Sequence, residues 1–356
     1  MSGVISFTAL AMGVLLATAA GAAEDASPPV SNTAGAGAAA AQVPLEQFQE
    51  PRVKYIDRYH YPSAEIEREG EGWVELGFMV DAKGKPFEIT VVGSTGNKDF
   101  EKAAIRALQH STFTPGTVNG KPMESASELK FTYRLDGGIY GARPEFSRAY
   151  RELVKAISAS DRPAADAAMG ELKVTNLYED AFYGLARYYY AGKWGTPAEQ
   201  RAGLERAIAN ERDAGYLSRQ AFREALRALF LVDVKTLRYG EALDTWRELE
   251  KKHLDAKSMS QMKSIVEQLN MLKTDGRAYE ITDVMPQGSW SLELFKRHFH
   301  VAVSSGRVSV IKLYCKKRFV SFAFDPTLDY EVKTRFGSCR MEMLGDAGTK
   351  FSVVQF

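Results

Sequence analysis

Two cysteines, five histidines and no hydrophobic run of twenty residues are present in 356, and each scarcity narrows what the chain can be. No CxxC spacing exists, which argues against a catalytic dithiol. There is no HExxH, no GxSxG, no Gly-rich phosphate loop before a helix and no compact acid pair framed by other site residues. These absences leave nothing that argues for an enzyme. No catalytic residue, metal, cofactor or nucleic-acid partner is expected. The run Glu65 to Glu71 reads as a solvated charge cluster, because general acid chemistry needs a carboxyl in a dry pocket.

What is present begins with an apolar stretch, Val4 to Ala20, followed by Ala20-Gly21-Ala22, the small-residue spacing of a cleavage site. Residues 1–22 read as a signal peptide, and an uncleaved inner-membrane anchor facing the periplasm is the alternative, since the run sits at the short limit for a spanning helix. Residues 23–50 read as a flexible linker, Ala-, Gly-, Ser- and Pro-rich from Ala23 to Gln42. The remaining 300 or so residues exceed one core, and 45% hydrophobic with 26% charged residues is ordinary globular usage. The expected class is α+β and multidomain, with units at 51–140, 144–280 and 286–356.

In the first unit, Val74, Leu76, Phe78 and Val80 alternate with Glu75, Gly77 and Met79 as a half-buried strand does over Trp73 to Asp81. Gly84 and Pro86 supply hairpin chemistry before a second strand, Phe87 to Val92. Phe100, Ala103, Ala104, Ala107 and Leu108 follow a helical period, with Asn97 as N-cap. A tight turn at Asn119-Gly120 precedes a third alternating strand, Leu129 to Leu135. The pattern describes a small antiparallel sheet with a helix on one face.

These features, in order from Tyr61-Pro62 through Gly70, Gly72, the Asp81 to Pro86 turn, the Phe100 to Leu108 helix, Phe113, Pro115, Gly116 and Gly120 to FTYRL, resemble the C-terminal domain of TonB-type energy transducers over residues 61–135. The resemblance implies a binding module that takes an extended peptide, or a strand of an outer-membrane transporter, onto an exposed sheet edge. By that resemblance the edge is the last strand, with Leu129, Lys130, Phe131, Thr132, Tyr133 and Arg134 as partner-binding residues and Tyr61 and Pro62 setting how the chain comes into the domain. The family's membrane-helix histidine and its long Pro-, Lys- and Glu-rich spacer are absent. The apolar run contains no histidine, and the linker extends about 70 Å at full stretch.

From 144 to 280 the period becomes helical. Paired helices are expected at 145–158 with 162–172, 178–191 with 197–210, and 217–234 with 239–252, starting roughly 33 to 39 residues apart, near the tetratricopeptide period. These hairpins resemble tetratricopeptide repeats, and Tyr188, Tyr189, Tyr190 and Trp194 read as packing between helices. Residues 286–356 switch to period two and read as a small β domain with a Cys315–Cys339 disulfide. His298 and His300 read as surface histidines, since two ligands on one strand are too few for a metal. Lys316, Lys317 and Arg318 read as a solvated hairpin tip, with an acidic partner, lipid headgroups or a cell-wall polymer as the alternative.

The leading expectation is an exported periplasmic protein that binds a protein or extended peptide of the envelope by strand addition. The alternatives are a membrane-anchored energy transducer for outer-membrane transporters, and a cell-wall or lipid adaptor in which the TonB-like unit serves as a homodimerisation fold.

Overall fold

The strand expected at Trp73 lies in the middle of its sheet, and it is buried on both faces rather than one. The computed structural model describes residues 48–57, 60–136, 141–209, 215–251 and 256–356. The expected signal peptide and residues 23–47 of the expected linker lie outside the described residues, as do Asn210 and His253. Among the described residues, no helix is long and apolar enough to cross a membrane.

The last residues of the expected linker instead form β1 (Phe48–Gln49), and β2 (Arg52–Tyr55) follows it. A short helix, α1 (Ser63–Glu67), leads into β3 (Gly72–Val80), β4 (Pro86–Ser94), α2 (Lys98–His110), β5 (Thr112–Thr114), β6 (Gly116–Val118), β7 (Lys121–Met123) and β8 (Ser125–Tyr133). The main sheet runs β4-β3-β8 and is antiparallel throughout, with Val74 opposite Phe131 and Leu76 opposite Leu129. β2 pairs with β5, and β1 joins β6 and β7. Asn97 caps α2, its side-chain oxygen accepting from the N–H groups of Asp99 and Phe100. The apolar face of α2 closes a core of Val74, Leu76, Phe78, Val80, Phe100, Ala104, Leu108, Phe131 and Tyr133.

The expected helix pairs are α3 (Pro144–Ala159), α4 (Arg162–Glu171), α5 (Leu177–Trp194), α6 (Pro197–Ile208), α7 (Arg219–Lys235) and α8 (Tyr239–Glu250), and α9 (Ala256–Thr274) follows beyond the last of them. Caps punctuate them as the sequence allows. Asn176 and Ser218 accept from backbone N–H groups, and Thr196 with Glu199 completes a capping box. α5 and α6 approach closely because Gly184 and Gly203 face each other. A Cβ on Gly184 would stand 2.7 Å from the Gly203 carbonyl oxygen, so no other residue fits there without moving a helix.

The C-terminal strands are β9 (Tyr279–Val284), β10 (Ser289–Glu293), β11 (His298–Ser305), β12 (Val308–Cys315), β13 (Arg318–Ala323), β14 (Asp329–Glu331), β15 (Cys339–Gly345) and β16 (Lys350–Gln355). They make two sheets, β10-β15-β12-β13 and β14-β11-β16-β9, around one core that includes Trp290, Phe299, Ile311, Met341, Met343 and Phe351. β9 begins seven residues before the expected start of the β unit at 286, because its partner is the C-terminal strand, with Ile281 opposite Val353. Cys315 and Cys339 stand opposite each other on β12 and β15 and form a disulfide. His298 stacks on Phe356, and His300 Nδ1 lies 3.0 Å from the Asp329 carboxylate.

Candidate functional site

β8 occupies one end of the β4-β3-β8 order, and along it side chains alternate between the two faces of the sheet. Leu129, Phe131 and Tyr133 point toward α2, with Phe131 and Tyr133 fully buried. Tyr133 stacks on Phe100 with ring centroids 4.3 Å apart and donates its hydroxyl to the Phe100 carbonyl at 3.1 Å. Tyr61 meets both rings edge-on at 5.6 Å and donates to the Gly70 carbonyl. Burial, with Glu71 and Glu65 nearby, pushes the Tyr61 hydroxyl up to about 12. Tyr61 is thus part of the domain's aromatic core. Pro62 starts α1, its carbonyl accepting from the N–H groups of Glu65 and Ile66 at 2.9 and 3.1 Å.

On the other face, Lys130 lies 4.9 Å over the Trp73 ring, and its ammonium donates to the Ala209 carbonyl just past the end of α6. The expected strand to Leu135 ends at Tyr133, and Lys130, Phe131, Thr132 and Tyr133, with Arg134 just past the end of β8, all have interactions of their own in the chain, so this half of β8 is engaged. Its other half, Ala126 to Glu128, lines a cleft of about 420 Å³ whose far wall is Glu293, Tyr314, Lys316 and Arg340 of the C-terminal strands.

The second face of the sheet is covered by the chain itself. Trp73, 4% exposed, donates its indole N–H to Asp180 on α5 at 2.9 Å. Arg206 on α6 donates to the other Asp180 oxygen at 2.7 Å and to the Thr95 carbonyl at 3.2 Å. Burial raises the Asp180 carboxyl above its ordinary value, while Arg206 and the Trp73 N–H pull it back down. Glu71, read from sequence as solvated, is a bridge. Its carboxylate accepts from the N–H groups of Leu135 and Leu177, and its own N–H donates to the Thr175 carbonyl at 2.8 Å. Glu65, in the same run, is 5% exposed and pairs with Arg68.

Toward the C-terminal strands, Lys312 pairs with Glu88 at 2.6 Å and Phe87 meets Phe319 edge-on. Lys316 and Lys317 both lie over the Phe48 ring, Lys316 also pairs with Glu50 at 2.8 Å, and Arg318 faces Glu124. The basic turn, with Lys316 and Arg318 exposed as a solvated tip would be, therefore also meets β1 and Glu124 of the same chain. The sequence reading missed these junction residues, and the available signals were weak: Trp73 on the polar phase of a strand, and Asp180 inside the apolar stripe of α5. Among the described residues, no group of three or more His, Cys, Asp or Glu could hold a metal.

Residues 57–135 match the family described as Gram-negative bacterial TonB protein C-terminal. A curated relative, protein TonB of Haemophilus ducreyi, is 32% identical over 72 residues, which is 20% of this chain and 25% of the relative. The chain therefore spans a quarter of the length of that relative. Two solved structures are similar to part of the chain. The C-terminal domain of Pseudomonas aeruginosa TonB is 22% identical, with TM-score 0.22, over 24% of this chain and 88% of that one. The TonB2 protein of Vibrio anguillarum is 26% identical, with TM-score 0.21, over 31% and 99%.

Proposed function

Because residues 57–135 are a TonB C-terminal domain, we propose that this protein is an exported, periplasm-facing binding protein that captures an extended segment of an envelope protein by strand addition at β8. Backbone hydrogen bonds to β8 supply affinity, and the alternate side chains Lys130, Thr132 and Arg134 supply selectivity. Its partner is a protein or peptide, with an outer-membrane transporter as the first candidate. The helical hairpins, tetratricopeptide-like in spacing, act as a scaffold that fixes the domain, and the role is binding rather than catalysis.

The observation that carries the reading is the family match over the whole sheet, with β8 at the end of its strand order. Ala126 to Glu128 supports it by opening onto the 420 Å³ cleft. Residues 130–134 are engaged within the chain, so an incoming strand competes with contacts such as that of Lys130 to Ala209. Replacing Thr132 by proline removes a backbone donor from β8, and the same change at Arg134 removes one just past its end. Titration calorimetry with transporter-derived extended peptides should show affinity weakened roughly tenfold or more, on the order of one lost backbone hydrogen bond plus strand distortion. Equal affinity in a variant with an unchanged circular dichroism spectrum would sink the assignment.

A further inference from the structure

A groove of about 930 Å³ runs between α3 and α4, and among the described residues none from α5 or from the sheets lines it. Its floor is Phe146, Ala149, Ala156 and Ala168, all buried, with Ala164 and Ala167 exposed beside them. An array of stacked hairpins needs a polar outer face on its end hairpin to stay soluble. Here the first hairpin keeps an apolar groove instead, and its small side chains let another helix come close.

The same face of α3 carries Glu145, Arg148, Glu152 and Lys155, spaced three, four and three apart, and all of them line the groove. Such spacing permits pairing within a helix, as Arg247 pairs with Asp244 on α8. On α3 no such pair forms. Among the described residues these four exposed side chains make neither a hydrogen bond nor an ion pair.

The order of the signs identifies the occupant. Acid, base, acid, base along one face becomes its own complement when a second α3 runs antiparallel to it. Glu145 then meets Lys155 of the second copy, Arg148 meets Glu152, and both pairs recur by symmetry about the level of Tyr150. On the α4 wall, the same two-fold brings Asp161 to the end that holds Lys173 and Glu171. A partner of one charge sign would be repelled by half of the α3 face, whereas a second copy is opposed by none of it.

We propose that the α3–α4 groove is a homodimer interface, in which the first hairpins of two copies pack with their α3 helices antiparallel about a two-fold axis. The surface is distinct from β8 and does not depend on strand addition there. A dimer built on it carries two β8 edges.

Sedimentation equilibrium of the full chain, at concentrations up to about 100 μM, tests the interface. The wild type should show twice the mass of one chain. Arg148→Glu and Glu152→Arg should each weaken association roughly tenfold or more, because each sets like charges opposite one another twice across the axis. The variant carrying both changes restores opposite charges and should return to within about threefold of the wild type. A monomeric wild type, single variants that associate undiminished, or a double variant as weak as the single ones overturns the proposal. Should a variant not fold, the wild type alone decides. Raising salt from about 0.1 M to about 1 M shortens the screening length from about 10 Å to about 3 Å and should weaken the dimer, and an unchanged association constant overturns the interface.

Discussion

Trp73 shows how one side chain changes the meaning of a strand. By alternation it sits on the phase that a half-buried strand gives to water, yet its indole is 4% exposed and donates to a carboxylate 107 residues away. Asp180 is fully buried, and Arg206 is the cation bonded to it, with Lys130 adding to the compensation. Removing one partner of such a pair leaves a buried charge unpaired, which costs far more than the pair itself contributes. Arg206→Ala should therefore destabilise the chain by about 3–5 kcal/mol in urea unfolding at neutral pH. A loss under about 1 kcal/mol would mean that the carboxylate is solvated instead. Neither residue could be singled out from sequence, because a tryptophan in a strand and an aspartate in a helix are unremarkable until the two elements are known to touch. Tyr61 is the converse case. Its position at the start of the TonB-like unit was legible, but its place in the Phe100 and Tyr133 cluster depends on how α1 folds back onto β3.

At the scale of elements, period was a good guide to type and a poorer one to ends. The Asn97 cap, the apolar spacing of α2 and the helical stripes from Phe146 to Trp246 locate their helices well, since capping and amphipathicity are local. β9 falls before the expected start of the β unit because its strand pattern is intelligible only beside β16, more than sixty residues on. β1, β2 and β5 to β7 were missed for a related reason: runs of two to four residues carry too little alternation to register. The disulfide belongs to this scale as well, tying β12 to β15 across a sequence separation of 24. Chain entropy assigns such a loop about 3 kcal/mol, so a reductant should lower the melting midpoint of the full chain. An unchanged midpoint after verified reduction would show that the native strand pairing supplies the stability alone.

For the whole molecule, the proposed export has a direct test, the mature N-terminus of protein recovered from a fractionated Gram-negative host. A start near Ala23 in the periplasmic fraction agrees with a released binding protein, whereas an intact Met1 in the membrane fraction would overturn release and favour an anchored transducer. The sequence by itself determined the TonB-like unit, because ordered glycines, prolines and alternation encode that sheet locally, and it determined where α3 to α8 lie and the cysteine pair. Tertiary structure alone decided what the second face of the sheet meets and that Lys316 and Lys317 clamp Phe48. Those outcomes depend on which distant surfaces bury one another. Burial reassigns the role of a charged residue only once its neighbours are in place, and no local pattern in the chain records them.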